Sequence, residues 1–124
     1  MTYLECGGNT VTELNDNMTL RELCKALEIS RRTVQGYEAQ GLVASTGKTN
    51  MGHLLYDVSA QRRIQRIRQY QKYGFKIKEI TMLLDAPDEQ LKLELEKRLL
   101  SLRRDADRMK QAIAELKAEL ALLE

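Results

Sequence analysis

Residues 19–43 read TLRELCKALEISRRTVQGYEAQGLV, and the fold turns on whether they form two short helices joined by a tight turn. Thr19 is a helix cap, Glu22 three residues later completes a capping box, and Leu20, Leu23 and Leu27 fall on one face. This spacing predicts a first helix over about 19–27. Ser30 is a second cap after the short link Glu28-Ile29, and the helix it opens turns Val34 and Tyr37 inward and ends before Gly41. Cys24 falls where two crossing helices need a small residue, and Ile29 plugs the turn. The cysteine therefore reads as a small buried hydrophobe rather than a redox sensor. Together the two segments form a helix-turn-helix candidate. One residue works against it: Gly36 stands in mid-helix, where glycine costs roughly 1 kcal/mol relative to alanine.

Downstream, LVASTGKTNMGHLLY (42–56) has apolar ends around a Gly/Ser/Thr/Asn-rich middle, the pattern of a small β-hairpin. Beside a helix-turn-helix such a hairpin is a wing, with Lys48 near its tip in reach of a phosphate; an ordinary surface loop fits the same composition. Asp57 caps VSAQRRIQRIRQYQKY, in which Val58, Ile64, Ile67 and Tyr70 or Gln71 keep helical spacing until Gly74. Its Arg62, Arg63, Arg66 and Arg68 have no acidic partner at i±4, so phosphate is the favoured partner over plain solvation. A short helix follows in FKIKEITMLLD, with Ile77, Ile80, Leu83 and Leu84 inward. Pro87 fits the first turn of a last helix running to the end of the chain. In it Leu95, Leu99, Leu102, Ala106, Met109, Ile113, Leu116, Leu120 and Leu123 step by four and three, a heptad seam. A rod of about 35 residues is on the order of 50 Å long, too long for so small a domain to cover. A second chain is the expected cover, with packing against the chain's own domain the alternative.

The expected class is mainly α: a winged helix-turn-helix domain over 18–85, then a long C-terminal coiled-coil helix over 86–124, preceded by a flexible arm over 1–17 rich in Gly and Asn. With 43% hydrophobic residues in 124, the chain is too apolar for general disorder and holds one modest core. Cys6 and Cys24 match neither a disulfide framework nor a metal knuckle, and no signal or membrane segment is evident, which predicts a cytoplasmic protein with reduced thiols. The net charge of +2 hides a basic middle. Residues 19–78 hold twelve Lys/Arg against four acids, a balance of +8 suited to a polyanion, although a solvated basic face has the same composition.

The order of these pieces resembles the MerR family of bacterial transcriptional regulators. MTLRELCKALEIS (18–30) is similar to the family's first helix and turn, and RRTVQGYEAQGLV (31–43) resembles V-R-T-L-R-Y-Y-E-x-x-G-L-L through Arg32, Thr33, Tyr37, Glu38, Gly41 and Leu42. GHLLYD (52–57) resembles the returning wing strand, and YGFKIKEI (73–80) resembles G-F-S-L-E-E-I. Gln35-Gly36 stands where the family has Arg-Tyr, His53-Leu54 where it has Tyr-Arg, and Glu28 where a turn glycine is common. The resemblance implies a homodimer joined by an antiparallel coiled coil on a pseudo-palindromic promoter, bending and untwisting the DNA for RNA polymerase. It assigns base contacts to Arg31, Arg32 and Gln35, since arginine reads guanine and glutamine adenine. Tyr37, Lys48, Arg62 and Arg63 would hold phosphates, and Thr19 would offer a hydroxyl or backbone contact at a helix N-terminus.

No cofactor or metal is expected: no cysteine follows Cys24, and His53 is the only histidine. That histidine has no nearby Ser or Asp pattern and no glycine-rich phosphate loop precedes a helix, so an enzyme is not expected. A signal, if one exists, would come through a regulatory protein, the arm or protein concentration. The rival from another class is a coiled-coil adaptor whose winged domain docks a protein.

Overall fold

A computed structural model of the chain describes residues 17–124, so the arm expected over 1–17 lies outside the described residues except for Asn17. The chain divides into two compact units, one ending at Leu84 and the other running from Asp85 to Glu124. Among the described residues there are five helices and three short strands.

The first unit opens with β1 (Asn17–Thr19) and passes directly into α1 (Leu20–Leu27). Thr19 makes the expected box: its Oγ1 accepts from the Glu22 backbone N–H at 3.2 Å, and its own N–H donates to Glu22 Oε1 at 2.9 Å. α1 ends at Glu28, which has φ +52°, the one positive-φ residue other than glycine among those described. The left-handed conformation reverses the chain after the last turn, and a side chain there costs roughly 1–2 kcal/mol that glycine would not. Ile29, 8% exposed, then seats the turn, and Ser30 caps α2 (Arg31–Ala39) by accepting from Thr33 N–H at 3.0 Å. Leu23, Val34 and Tyr37 meet the core as expected. Cys24 is only half-buried; desolvation raises its thiol pKa, opposed by Arg31.

The hairpin is part of a larger sheet. β2 (Gly47–Lys48) and β3 (Leu54–Asp57) pair antiparallel, Gly47 opposite Leu55, and β1 adds to the far side of β3 with Met18 opposite Tyr56, giving the order β1-β3-β2. Leu42 and Val43, expected in the hairpin's first strand, lie outside the strands and are buried as a plug behind α2. β1 is three residues long, too short to leave an alternating pattern.

Asp57 ends β3 and caps α3 (Val58–Lys72), accepting from Ala60 N–H at 2.8 Å. Ala60, Gln61, Ile64, Ile67 and Tyr70 form its buried face. α4 (Ile77–Leu84) contributes Ile80, Leu83 and Leu84, and Phe75 packs edge-on against Tyr70 with ring centroids 6.1 Å apart. The second unit is α5 (Asp88–Leu122), 35 residues without one buried side chain. Pro87 is the residue just before it rather than its first turn, Asp88 and Glu89 occupy the positive end of its dipole, and Leu123 lies on the C-terminal cap.

Replacing Thr19 by alanine leaves α1 uncapped and is expected to lower stability to urea by about 1 kcal/mol at neutral pH. Hydrogen bonds from the backbone and then the side chain of Thr19 hold the Glu22 carboxyl below its ordinary pKa. A depressed folded-state pKa stabilises above the ordinary glutamate value and is lost as pH falls through the folded one. Replacing Glu22 by alanine removes that carboxylate, and the stability difference from wild type should therefore narrow as pH drops from about 6 towards about 3; a constant difference would show that the carboxylate takes no part in the cap.

Candidate nucleic-acid interface

α2 buries Val34 and Tyr37 and turns Arg31, Arg32, Gln35, Gly36 and Ala39 to solvent. Its first turn contains no acid, and two arginines occupy the positive end of its dipole. Cations there do not stabilise a helix. They instead add to the potential of the free N–H groups and make this end of α2 a strongly positive, exposed pole suited to an anionic partner.

Lys48 is exposed on β2, opposite Leu54. The loop beyond it is tightly ordered around Thr49. The Thr49 N–H donates to the His53 carbonyl at 2.8 Å, Gly52 N–H donates to the Thr49 carbonyl at 2.9 Å, and Thr49 Oγ1 accepts from the N–H groups of Met51 (3.3 Å) and His53 (3.0 Å). Met51, at the tip, is 84% exposed. It escaped the sequence reading, where the only signal was one apolar residue between Asn50 and Gly52.

The arginines of α3 are less available than the missing acids suggested. Arg63 Nε donates to the Leu42 carbonyl and an Arg68 terminal nitrogen to the Leu27 carbonyl. Arg66 donates to the Tyr70 hydroxyl at 3.1 Å, with its guanidinium 5.6 Å from that ring's centroid. Arg62 is exposed. Backbone carbonyls and a tyrosine took the place of acids: Tyr70 lies at i+4 from Arg66, whereas the carbonyls of Leu42 and Leu27, 21 and 41 residues from Arg63 and Arg68, are partners that i±4 spacing does not reveal.

Tyr37, assigned to a phosphate by resemblance, occupies a core position: it is 4% exposed, its hydroxyl donates to Gln71 Oε1 at 2.6 Å, and burial raises its pKa against the opposing charge of Arg68. The Thr19 hydroxyl and N–H are both engaged in the capping box. Of the residues expected at the interface, Arg31, Arg32, Gln35, Lys48 and Arg62 are exposed, with Thr19, Tyr37 and Arg63 holding the elements that carry them; Arg68 is exposed as well.

Along α5 the seam expected to join two chains is open. Leu99, Leu102, Met109, Ile113, Leu116, Leu120 and Leu123 are exposed, from 39% at Leu102 to 78% at Leu123, while Leu95 is half-buried. Surface pairs such as Lys97–Glu94 (3.5 Å) and Arg108–Asp105 (3.8 Å) flank it. Among the described residues no group of three or more His, Cys, Asp or Glu is placed to hold a metal ion, and no helix is long and apolar enough to cross a membrane.

A family model described as MerR HTH family regulatory protein matches residues 18–87. The nodulation protein NolA of Bradyrhizobium diazoefficiens is 32% identical over 77 residues, 62% of this chain and 32% of that protein. The mercuric resistance operon regulatory protein of Bacillus cereus is 30% identical over 67 residues, 54% of this chain and 51% of that one. The match therefore spans about a third to a half of these curated relatives. The crystal structure of MtaN, the N-terminus of the Bacillus subtilis multidrug transporter activator, is 25% identical with a TM-score of 0.70, covering 83% of this chain and 97% of that one. HiNmlR, a MerR family regulator lacking the sensor domain and crystallised with promoter DNA, shares the fold at 21% identity and a TM-score of 0.52, over 84% of this chain and 78% of its own.

Tyr37→Phe removes the bond to Gln71 and should lower stability by about 1 kcal/mol in urea. Retention on a heparin column should stay at the wild-type level; reduced retention would return Tyr37 to the interface.

Proposed function

The chain belongs to the MerR family of helix-turn-helix regulatory proteins, and from that membership we propose that it is a sequence-specific DNA-binding transcriptional regulator. The observation that carries this reading is the exposed face of α2, where Arg31, Arg32 and Gln35 stand together at the positive end of a helix in a helix-turn-helix. Such a helix fits the major groove, where arginine donates to guanine O6 and N7 and glutamine pairs with adenine N6 and N7. Lys48 and Arg62 neutralise phosphates and fix the register, and Thr19 and Arg63 act behind them by holding α1 and α3 in place.

We further propose that the protein acts as a homodimer through an antiparallel coiled coil of α5. Support comes from the exposed run Leu99, Leu102, Met109, Ile113, Leu116, Leu120, with Leu95 and Leu123 at its two ends: an apolar stripe of this length in water favours association with an equal stripe. Two identical domains then address a pseudo-palindromic site with half-sites a whole number of DNA turns apart. Where a promoter's spacing departs from that, binding bends or untwists the duplex at a cost on the order of 1–6 kcal/mol, which base and phosphate contacts offset. A promoter reshaped in this way is presented to RNA polymerase.

Selection of bound duplexes from random DNA tests binding, half-site spacing and sequence at once. Affinity for the selected duplex should fall steeply with salt, as released counterions require. Recovery of no duplex at low salt would sink the regulator reading. Arg32→Ala should weaken the selected site by about 1–3 kcal/mol with the dimer intact; unchanged affinity would remove Arg32 from the base-reading set. Ile113→Asp places a charge in the middle of the seam and should give monomers in analytical ultracentrifugation that bind the full site poorly. A dimeric mutant would count against the coiled coil.

A further inference from the structure

Gly36 lies in the middle of α2, four residues after Arg32 and next to Gln35, and it is exposed. Three internal reasons commonly keep a glycine in a helix, and none holds here. Its φ is not positive, in contrast to Gly41 (+75°), Gly52 (+86°) and Gly74 (+97°). Beyond its chain neighbours and the backbone of its own helix, a Cβ built on it would meet no atom within 4 Å, so no neighbouring element packs close to the backbone at this point. The helix is not broken there either: the Gln40 N–H donates to the Gly36 carbonyl at 3.1 Å. Alanine at this position would stabilise an uninterrupted helix. The fold thus carries a destabilising residue from which nothing inside the described molecule benefits.

We propose that Gly36 is a specificity-determining position that lets the backbone of α2 approach DNA more closely than any side chain would allow; the proposal rests on the regulator reading above. Residues one helical turn apart share a face, so Arg32 and Gly36 meet the same stretch of groove. Glycine between Arg32 and Gln40 removes the group that would otherwise hold the helix axis off the base edges. The closer approach brings the short Gln35 amide within reach of a base edge, a contact that depends on distances of about 3 Å. The missing side chain on this protein is then part of what selects its site.

The test compares full-length wild type, Gly36→Ala and Gly36→Leu on the duplex that wild type selects from random DNA and on an unrelated duplex, with thermal unfolding of all three. The expected result is a higher Tm for Gly36→Ala, affinity for the selected duplex reduced about tenfold or more, a further loss for Gly36→Leu, and little change on the unrelated duplex. Wild-type affinity in Gly36→Ala would overturn the proposal while leaving the regulator reading in place. A lower Tm for Gly36→Ala would also overturn it, because the fold itself would then require the glycine. If wild type selects no duplex, the regulator reading fails and the proposal falls with it.

Discussion

The first unit is organised around one tyrosine. Tyr56 is completely buried in β3, pairs with Met18 of β1, accepts from Gln61 Nε2 at its carbonyl (2.8 Å) and donates its hydroxyl to Glu38 Oε2 (2.9 Å). A single residue thereby ties the sheet to the end of α2 and the start of α3. Leaving such a hydroxyl buried without a partner costs roughly 1–3 kcal/mol, so the end of α2 is drawn to one place relative to the strand. Burial, reinforced by the Glu38 carboxylate, raises the phenol far above its ordinary pKa. It stays a proton donor through the neutral range.

Two arginines complete this arrangement from the other side. Arg68 reaches the carbonyl of Leu27, the last residue of α1, and Arg63 that of Leu42, just beyond α2. The end of a helix leaves carbonyl oxygens without intrahelical partners and carries partial negative charge, so at Leu27 a cation supplied by α3 satisfies both needs, while at Leu42 it satisfies a carbonyl of the loop after α2. Both side chains carry guanidinium groups. They still contribute to the positive field of the domain although their hydrogen bonds point inward.

Most of the fold was legible because its signals are local. Thr19-Glu22, Ser30, Asp57 and the four-three spacing of α5 each act within a few residues, and each stands where the spacing predicted it. What was not legible depends on distance along the chain. β1 exists only because Met18 meets Tyr56 nearly forty residues away, and Arg68 and Leu27 are 41 residues apart. The same division runs through the candidate site. Resemblance to the family pointed to Arg31, Arg32 and Gln35, which are exposed, but the charge pattern of α3 did not reveal that Arg63 ends on a carbonyl. Tyr37 was drawn outward by its resemblance to a family position, while its inward spacing with Val34 had already indicated the core.

The Thr49 hydroxyl has a consequence for association. With two loop N–H groups held by one side-chain oxygen, the tip of the wing is fixed during folding. Fixing one residue's backbone costs roughly 1–2 kcal/mol of conformational entropy, and a mobile tip would incur that cost at the moment of contact. On the proposed reading that Lys48 meets a phosphate, that loss is already taken before DNA arrives, and the contact is made from a preformed loop.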